Sequence, residues 1–156
     1  MRLRDRHGVP GLIVREAAAA DAASIAELSG QLGYPATAAE IASRMECMTA
    51  DGRAAIFVAA EGDTVVGWIS VRADLTLEGG SLAEIAGLVV DEGRRSGGIG
   101  RALALAAEGW AKTHGLPRIR VRSNVVRERA HVFYRRLGYG PTKHQAVFDK
   151  KLTGLP

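Results

Sequence analysis

The most informative segment of this 156-residue chain is Val89-Val90-Asp91-Glu92-Gly93-Arg94-Arg95-Ser96-Gly97-Gly98-Ile99-Gly100-Arg101-Ala102-Leu103. An apolar strand pattern runs into a basic, glycine-rich turn, and an amphipathic helical pattern begins at Ile99. Gly97, Gly98 and Gly100 have no side chains where backbone N–H groups would approach an anion, and the unpaired N–H groups of the following helix point to the same place. The segment therefore predicts a site for a phosphate chain.

Two other phosphate motifs do not fit this segment. A Walker loop requires Gly-Lys-Ser or Gly-Lys-Thr after its glycines, and no such tripeptide follows them here. A dinucleotide fingerprint requires a glycine where Leu103 stands, in the first turn of an early βαβ unit. A loop whose glycines only form a tight connection between a strand and a helix remains the alternative.

A second pattern follows, Ser123-Asn124-Val125-Val126-Arg127-Glu128-Arg129-Ala130-His131-Val132-Phe133-Tyr134-Arg135-Arg136-Leu137-Gly138-Tyr139. It has an asparagine at a strand end, a helix that carries Ala-x-x-Phe-Tyr, and a closing Leu-Gly-Tyr. Together with the spacing Arg95-x-x-Gly98-x-Gly100, this order resembles the GNAT superfamily of N-acetyltransferases over residues 82–152. The motifs are most similar to small-amine members, which include aminoalkylphosphonate N-acetyltransferases.

The remaining sequence predicts one sheet with helices packed around it. Strands are predicted at 12–16, 54–60, 64–73, 82–90, 118–122 and 146–148, and helices at 22–29, 38–48, after the glycine loop and in the second pattern. Asp21 and Thr37 are predicted N-caps, with Glu40 at capping-box spacing from Thr37. We expect an α/β (α+β), GNAT-like single domain with a mixed, mostly antiparallel central sheet and helices on both faces.

The resemblance implies that acetyl-CoA is the co-substrate. In the family, the strand before the glycine loop separates from its neighbour, and its free backbone groups pair with pantetheine amides while an N–H polarises the thioester carbonyl. Asn124 would contact the CoA arm; by itself it also fits a turn residue. The implied cofactor-binding residues are Leu88, Val89, Val90, Arg95, Ser96, Gly97, Gly98, Ile99, Gly100, Arg101, Asn124 and Tyr134.

Acetyl transfer to an amine benefits from a base, because an alkylammonium with a pKa of about 10.4 is almost fully protonated at pH 7. The resemblance places Glu84 at the general base, or at the carboxylate that orders a proton-accepting water. It places Tyr134 at the general acid for the departing thiolate. From the residues alone, Glu84 also fits a partly exposed strand carboxylate, and Tyr134 also fits core packing beside Phe133.

Charge distribution bears on the acceptor. Residues 1–80 hold 7 Lys and Arg against 11 Asp and Glu, whereas residues 81–156 hold 14 against 6. The basic half contains the phosphate loop, and the acidic half is expected to face a small cationic primary amine. Tyr34, Glu78 and Glu84 are the expected acceptor-binding residues, through charge and cation–π contact.

Other acceptors and one other class of protein remain alternatives. A phosphonate would need an arginine in the acceptor pocket, for which Arg72 is the nearby candidate. A protein N-terminus or a lysine would keep the chemistry and change the acceptor. An acyl-CoA-binding module without catalysis would need neither Glu84 nor Tyr134.

Composition places the chain among ordinary globular proteins, with 47% hydrophobic and 24% charged residues. No apolar run reaches the ~18 residues of a membrane span, so no membrane association is expected. The single cysteine, Cys47, excludes an intramolecular disulfide and fits a reducing cytoplasm. Its position in a helical pattern predicts a buried structural thiol.

The basic residues of the second half do not predict nucleic-acid binding. Arginine alternates with apolar residues over 118–122 without interleaved aromatics, which favours a solvated strand face. The four histidines lack metal-ligand spacing, and no metal is expected. His131 is interpreted as a helix-face residue with a local hydrogen bond, or as a residue lining the site. Residues 1–10 are predicted to be a flexible extension and residues 11–156 the acetyltransferase domain, for which a homodimer stays open.

Overall fold

The computed structural model describes residues 9–155. The predicted N-terminal extension, residues 1–10, therefore lies almost wholly outside the described residues. The chain divides into two compact units, one ending at Arg122 and the other beginning at Ser123. That residues 11–156 act as one domain stays a prediction.

The first unit is built on a five-stranded sheet. Its strands are β1 (Leu12–Glu16), β2 (Ala54–Glu61), β3 (Thr64–Thr76), β4 (Gly80–Val90) and β5 (Ile119–Val121). They lie in the order β1-β2-β3-β4-β5. The pairs from β1 to β4 are antiparallel, and β4 pairs with β5 in parallel. The prediction of a mixed, mostly antiparallel sheet is confirmed.

Among residues 9–155, three α-helices belong to the first unit and one to the second. They are α1 (Ala22–Gln31), α2 (Ala38–Thr49), α3 (Ile99–Thr113) and α4 (Glu128–Arg136). The Thr37 hydroxyl accepts from the Glu40 N–H at 3.1 Å, and Glu40 accepts from the Thr37 N–H at 2.8 Å. The predicted capping box of α2 is confirmed, because it depends only on neighbouring residues.

Asp21 precedes α1 as predicted, but it does not cap this helix with its side chain. Its carboxylate accepts from the Ala18 N–H at 2.7 Å and binds both Nη atoms of Arg15 at 2.7 and 2.9 Å. The Arg15 hydrogen bond, strengthened by that of Ala18, holds the pKa of Asp21 below its ordinary value. The residue therefore ties β1 to the start of α1.

Helices cover both faces of the sheet, as predicted. On one face, Ile25, Leu28 and Ile41 of α1 and α2 pack with Val58 and Val89 of the sheet. On the other face, a Cβ at Gly67 would lie 3.1 Å from Leu103 and 3.3 Å from Ile99 of α3. The buried side of α3 also includes Ala107 and Trp110.

Two predictions about local structure, a strand at 146–148 and a buried Cys47, are wrong. Residues 146–148 form no strand, and Val147 and Phe148 are 82% and 92% exposed. A short apolar run forms a strand only where a partner edge is available, which a local pattern does not reveal. Cys47 is exposed rather than buried, because α2 packs on the core through Ile41, Ala42 and Met45 and directs Cys47 outward.

Candidate acetyl-transfer site

The strands β4 and β5 run together and then part, forming a fork. Their pairing covers only Ala83–Ile85 and Ile119–Val121, although β4 continues to Val90. On the other side of β4, Ser70 pairs with Gly87 and the next residue, Val71, pairs with Ile85. Ala86 is therefore an extra residue, a β-bulge at the point where the fork begins.

Beyond the bulge, the edge of β4 that faces away from β3 has no strand partner among residues 9–155. The Asp91 N–H donates to the Val66 carbonyl of β3 at 2.9 Å. Alternate residues of a strand direct their backbone groups to the same edge, so Val89 also faces β3, whereas Leu88 and Val90 face the free edge. Of the three predicted backbone contacts, Leu88 and Val90 are the two with free groups for a ligand.

The fork leads directly into the glycine-rich loop, which is fastened at its start. The Asp91 carboxylate accepts from the Gly93 N–H at 3.2 Å. The Glu92 N–H donates to the Gln31 side chain at the end of α1 at 3.1 Å, and Arg94 forms an ion pair with Glu61 at the end of β2. These contacts fix the loop relative to the sheet.

The end of the loop has the backbone shape that glycine permits. Gly98 is left-handed, with φ of 84°, and a Cβ there would lie 3.3 Å from Val9. Ser96 is also left-handed, at φ 70°, a conformation uncommon for a residue other than glycine. No side chain caps α3, and its first backbone bond runs from Ala102 to Gly98. The N–H groups of its first turn are therefore directed outward without an intrahelical partner.

Arg95 and Arg101 flank these N–H groups. Both are exposed, and neither forms an ion pair within the described part of the chain. Uncapped N–H groups, a helix dipole and two unpaired guanidinium groups suit an anion with several phosphates. The loop and the free edge of β4 together offer backbone groups that suit a ligand with several phosphates and an amide-containing arm.

Trp68 supports the strand next to the bulge, a contact that the sequence analysis missed. A Cβ on Gly87 would lie 2.7 and 2.8 Å from the Trp68 ring. The ring thus occupies the space of a side chain on β4. Trp68 Nε1 is buried and has no hydrogen-bond partner within residues 9–155. In the sequence, the sign of this contact was a glycine inside a strand, because such a glycine often marks a place where another group approaches the backbone closely.

Glu84 lies one residue before the last paired position of the fork, and it is buried, with 3% of its surface exposed. Arg72 Nη2 donates to its Oε2 at 2.8 Å. On the other oxygen, Arg122 Nε lies 3.0 Å and Arg120 Nε 3.4 Å from Oε1. The alternative of a partly exposed strand carboxylate is therefore wrong, and both carboxylate oxygens are engaged by guanidinium groups.

The sequence predicted a solvated arginine face on β5, but arginines of this face also form ion pairs within the sheet. Arg120 also binds Asp74 through Nη2 at 2.9 Å, and its side chain is only 28% exposed. Register explains the difference, because Arg72, Glu84 and Arg120 lie directly opposite one another on β3, β4 and β5. Cross-strand partners of this kind depend on pairing that alternation alone does not show.

In the second unit, Asn124 organises the turn that precedes α4. Its side-chain oxygen accepts from the Val126 N–H at 3.1 Å, and its carbonyl accepts from the Arg127 N–H at 3.0 Å. His131 Nε2 lies 3.0 Å from the same carbonyl, so its predicted local hydrogen bond is confirmed. The role of Asn124 toward CoA stays a prediction.

Tyr134 of α4 has an apolar, aromatic environment. Its ring meets those of Phe133 and Tyr139 edge-on, with centroids 5.0 and 5.6 Å apart. Burial raises the pKa of Tyr134 to about 12, and the positive charge of Arg127 opposes part of this rise. The phenol therefore keeps its proton throughout the physiological range, and the raised pKa also makes it a weaker acid than an ordinary phenol.

The predicted acceptor residues do not form one cluster. Glu78 lies on the exposed turn between β3 and β4, six residues before Glu84, or roughly 20 Å along an extended chain. Tyr34 lies in the connector after α1 and is 65% exposed. Within residues 9–155, no hydrogen bond or ion pair joins Tyr34, Glu78 and Glu84.

The described residues contain neither a metal-binding cluster nor a membrane-spanning helix. No group of three or more His, Cys, Asp and Glu side chains there is arranged to hold a metal ion. None of the helices in that range is long and apolar enough to cross a membrane.

This fold and this fork define an acetyltransferase of the GNAT type. The chain belongs to the acetyltransferase (GNAT) family, whose model matches residues 24–139. Over 145 residues it is 30% identical to an aminoglycoside N(6')-acetyltransferase type 1 from Stenotrophomonas maltophilia, an alignment that covers 89% of this chain and 93% of that protein. The enzyme class predicted from the sequence is confirmed.

Solved structures share the fold. A glucosamine-6-phosphate N-acetyltransferase from Arabidopsis thaliana has a TM-score of 0.77 at 21% identity, covering 90% of this chain and 99% of that one. An aminoglycoside 6'-N-acetyltransferase from Acinetobacter haemolyticus has a TM-score of 0.77 at 20% identity, with 89% and 98% covered. A protein described as a transcriptional regulator from Bacillus halodurans has a TM-score of 0.78 at 23% identity, with 89% and 99% covered.

Proposed function

We propose that this protein transfers the acetyl group of acetyl-CoA to a primary amine of a small molecule, by direct attack of the amine on the thioester. The observation that carries the proposal is the free edge of β4, which leads into a loop ending at the uncapped N-terminus of α3. That continuous row of backbone donors and acceptors suits a ligand with an amide arm and a pyrophosphate. Residues 11–156 would form the catalytic domain.

The chain supplies binding groups along the length of the co-substrate. Backbone groups of Leu88 and Val90 would pair with the pantetheine amides, and the first N–H groups of α3 would bind the pyrophosphate. Arg95 and Arg101 add positive charge beside the phosphates. The bound thioester supplies the activated acetyl group, and a backbone N–H of β4 would polarise its carbonyl. Asn124 is proposed to contact the CoA arm.

The reaction needs a proton acceptor and a proton donor. As the amine nitrogen forms its bond to the acetyl carbon, the carbon–sulfur bond breaks, the nitrogen loses a proton and the thiolate gains one. Because guanidinium groups engage both oxygens of Glu84, we propose that Glu84 orders a proton-accepting water rather than taking the proton itself. Tyr134 is proposed to protonate the thiolate.

A small-molecule amine is the acceptor that the relatives favour. The Stenotrophomonas maltophilia protein is named for N(6') acetylation of aminoglycosides, which are small molecules with several amines. A protein acceptor finds no comparable support. We also propose that the enzyme is cytoplasmic, which is consistent with its single, exposed cysteine. We propose no nucleic-acid or membrane partner, because an anionic co-substrate would account for the excess of basic residues in 81–156.

Gly98→Asp tests the co-substrate site. A carboxylate at this position would repel the pyrophosphate, so we expect acetyl-CoA binding to be abolished while the protein stays folded by circular dichroism. Gly62→Asp is the matched control, because Gly62 is also left-handed, at φ 59°, and has open space around it. Calorimetry should show normal affinity in the control; unchanged affinity in Gly98→Asp would contradict the assignment.

Thiol release with a panel of amines tests the reaction. The panel contains polyamines, amino sugars, aminoglycosides, aminophosphonates, amino acids and short peptides, each at saturating acetyl-CoA. We expect turnover of small amines. Selective turnover of peptides would overturn the acceptor class, and binding of acetyl-CoA without any turnover would instead favour a module that only binds.

A further inference from the structure

Three arginines lie beside the buried carboxylate of Glu84 where β4 and β5 part, a feature that acetyl transfer to a simple amine does not require. We propose that Arg72, Arg120 and Arg122 form a subsite for an anionic oxygen group of the acceptor. The acceptor would then be a primary amine that also carries a carboxylate or a phosphate. This inference rests on the proposed function and specifies its substrate class.

The proposed subsite carries a net positive charge. Three guanidinium groups face two carboxylates, those of Glu84 and Asp74. The cluster therefore retains one positive charge after its internal ion pairs are counted. Burial of Glu84 beneath the arginines means that an approaching ligand meets the guanidinium groups first.

The guanidinium groups of the subsite are accessible to a ligand, whereas the carboxylate of Glu84 is not. The side chain of Glu84 is 4% exposed, whereas those of Arg72 and Arg122 are 54% and 63% exposed. Each of these two arginines uses one nitrogen on Glu84, and a guanidinium group carries five N–H donors in a planar fork. The donors left over can bind a carboxylate or a phosphate in the bidentate manner that arginine favours.

The position of the subsite in the fork suits an acceptor. Arg122 directly follows Val121, the last residue of β5 that pairs with β4, and Glu84 immediately precedes Ile85, the last such residue of β4. The subsite thus lies at the closed end of the fork, where β4 and β5 are still paired, and the glycine-rich loop lies at its open end. A ligand stretched along β4 from the loop would bring its thioester to the closed end. An anionic group held there places a nearby amine beside the thioester.

A structural ion-pair network is the competing interpretation, and it makes a different prediction. Such a network would affect stability and would alter the turnover of all amines alike. A binding subsite would discriminate among acceptors by charge, because each charge-assisted hydrogen bond contributes only when the anion is present.

The test uses four acceptors with the same aminoethyl skeleton: ethylenediamine, ethanolamine, β-alanine and O-phosphoethanolamine. We expect kcat/KM for at least one of the two anionic amines to exceed that of ethanolamine by roughly ten- to a hundredfold, with ethylenediamine lowest. Comparing β-alanine with O-phosphoethanolamine distinguishes a carboxylate site from a phosphate site. Equal values, or a preference for ethylenediamine, would overturn the inference.

Arg122→Gln should remove most of this preference, so that kcat/KM falls at least about tenfold more for the preferred anionic amine than for ethanolamine. Arg118→Gln is the matched control, because Arg118 precedes the same strand, is exposed, and its side chain donates to the Gly79 carbonyl at 3.4 Å and forms no ion pair within residues 9–155. Arg72→Gln provides a second variant should Arg122→Gln not fold. Equal losses for all four amines would support the structural network instead.

Binding without chemistry separates this inference from the proposed function. Propionate and ethyl phosphate, which lack an amine, are titrated by calorimetry into protein saturated with CoA, so that the phosphate loop is occupied. We expect at least one to bind wild type and to lose affinity at least tenfold in Arg122→Gln. Binding without acetylation of any amine would refute the proposed function and leave the subsite standing, whereas no binding of either anion would refute the subsite.

Discussion

Tyr134 has a pKa raised to about 12 because burial in an aromatic cluster disfavours its phenolate. Tyr134 is therefore mostly protonated at every pH below about 11, so its ionisation cannot reduce activity there. We expect an ultraviolet titration to show one of the three tyrosines ionising near pH 12, and that phase to disappear in Tyr134→Phe. Tyr34→Phe, which changes an exposed tyrosine, should leave the phase in place.

Tyr134→Phe also tests the proposed general acid. Removing one hydroxyl changes little volume, so folding and CoA affinity should survive while kcat falls on the order of 10²-fold, the usual scale for a lost proton donor. Steady-state kinetics with a confirmed acceptor measures this. Wild-type turnover would limit Tyr134 to aromatic packing with Phe133 and Tyr139.

Glu84→Gln tests the proposed role in proton acceptance. Glutamine keeps the shape but loses the charge that would order the water, so we expect the rate to fall at pH 7 and to recover toward pH 10, where the amine deprotonates unaided. The pH profile of kcat/KM measures this, with Glu27→Gln on the exposed side of α1 as control. A profile parallel to wild type at every pH would remove Glu84 from the proton path.

Among the elements, α2 and the fork show where sequence reasoning succeeds and fails. The capping box of Thr37 and Glu40 was predictable because both partners lie within one turn of chain. The partners of Glu84 were not, since Arg72 and Arg120 lie 12 and 36 positions away and meet it only through sheet register. The strand expected at 146–148 failed for the same reason: strand formation is non-local.

Gly87→Ala tests how the strand beyond the bulge is supported. A methyl group there would collide with the Trp68 ring, so the ring or β4 must move. We expect a loss of about 1–3 kcal/mol in the free energy of unfolding, the usual cost of overpacking, with weaker CoA binding through the shifted β4 edge. Denaturant unfolding and calorimetry measure the two effects.

Gly109→Ala is the control for this prediction. It lies within α3 with no atom within 4 Å of a built Cβ, so alanine should stabilise the helix by about 0.5–1 kcal/mol. Normal stability and CoA affinity in Gly87→Ala would mean that Trp68 moves freely and does not fix the fork.

For the whole molecule, the distribution of charge was readable from the sequence, but its use was not. Residues 81–156 carry an excess of basic residues, which predicted a phosphate ligand. In the structure the arginines of this half have different surroundings: Arg95 and Arg101 form no ion pair within residues 9–155, whereas Arg120 and Arg122 face Glu84. Composition cannot separate these two groups, because only folding places carboxylates beside one of them.

We expect the proposed binding of CoA to depend on salt, because the charges of Arg95 and Arg101 would attract its phosphates. Exposed charges interact over a Debye length of about 10 Å at 0.1 M ionic strength, and potassium chloride shortens it. We therefore expect the KM for acetyl-CoA to rise several-fold between about 0.05 and 0.5 M salt.

Arg95→Gln should raise the KM at low salt and flatten this dependence, since one screened charge is gone. Lys150→Gln, in the exposed tail, should leave the slope unchanged. A slope that is the same in Arg95→Gln as in wild type would show that Arg95 does not face the phosphates.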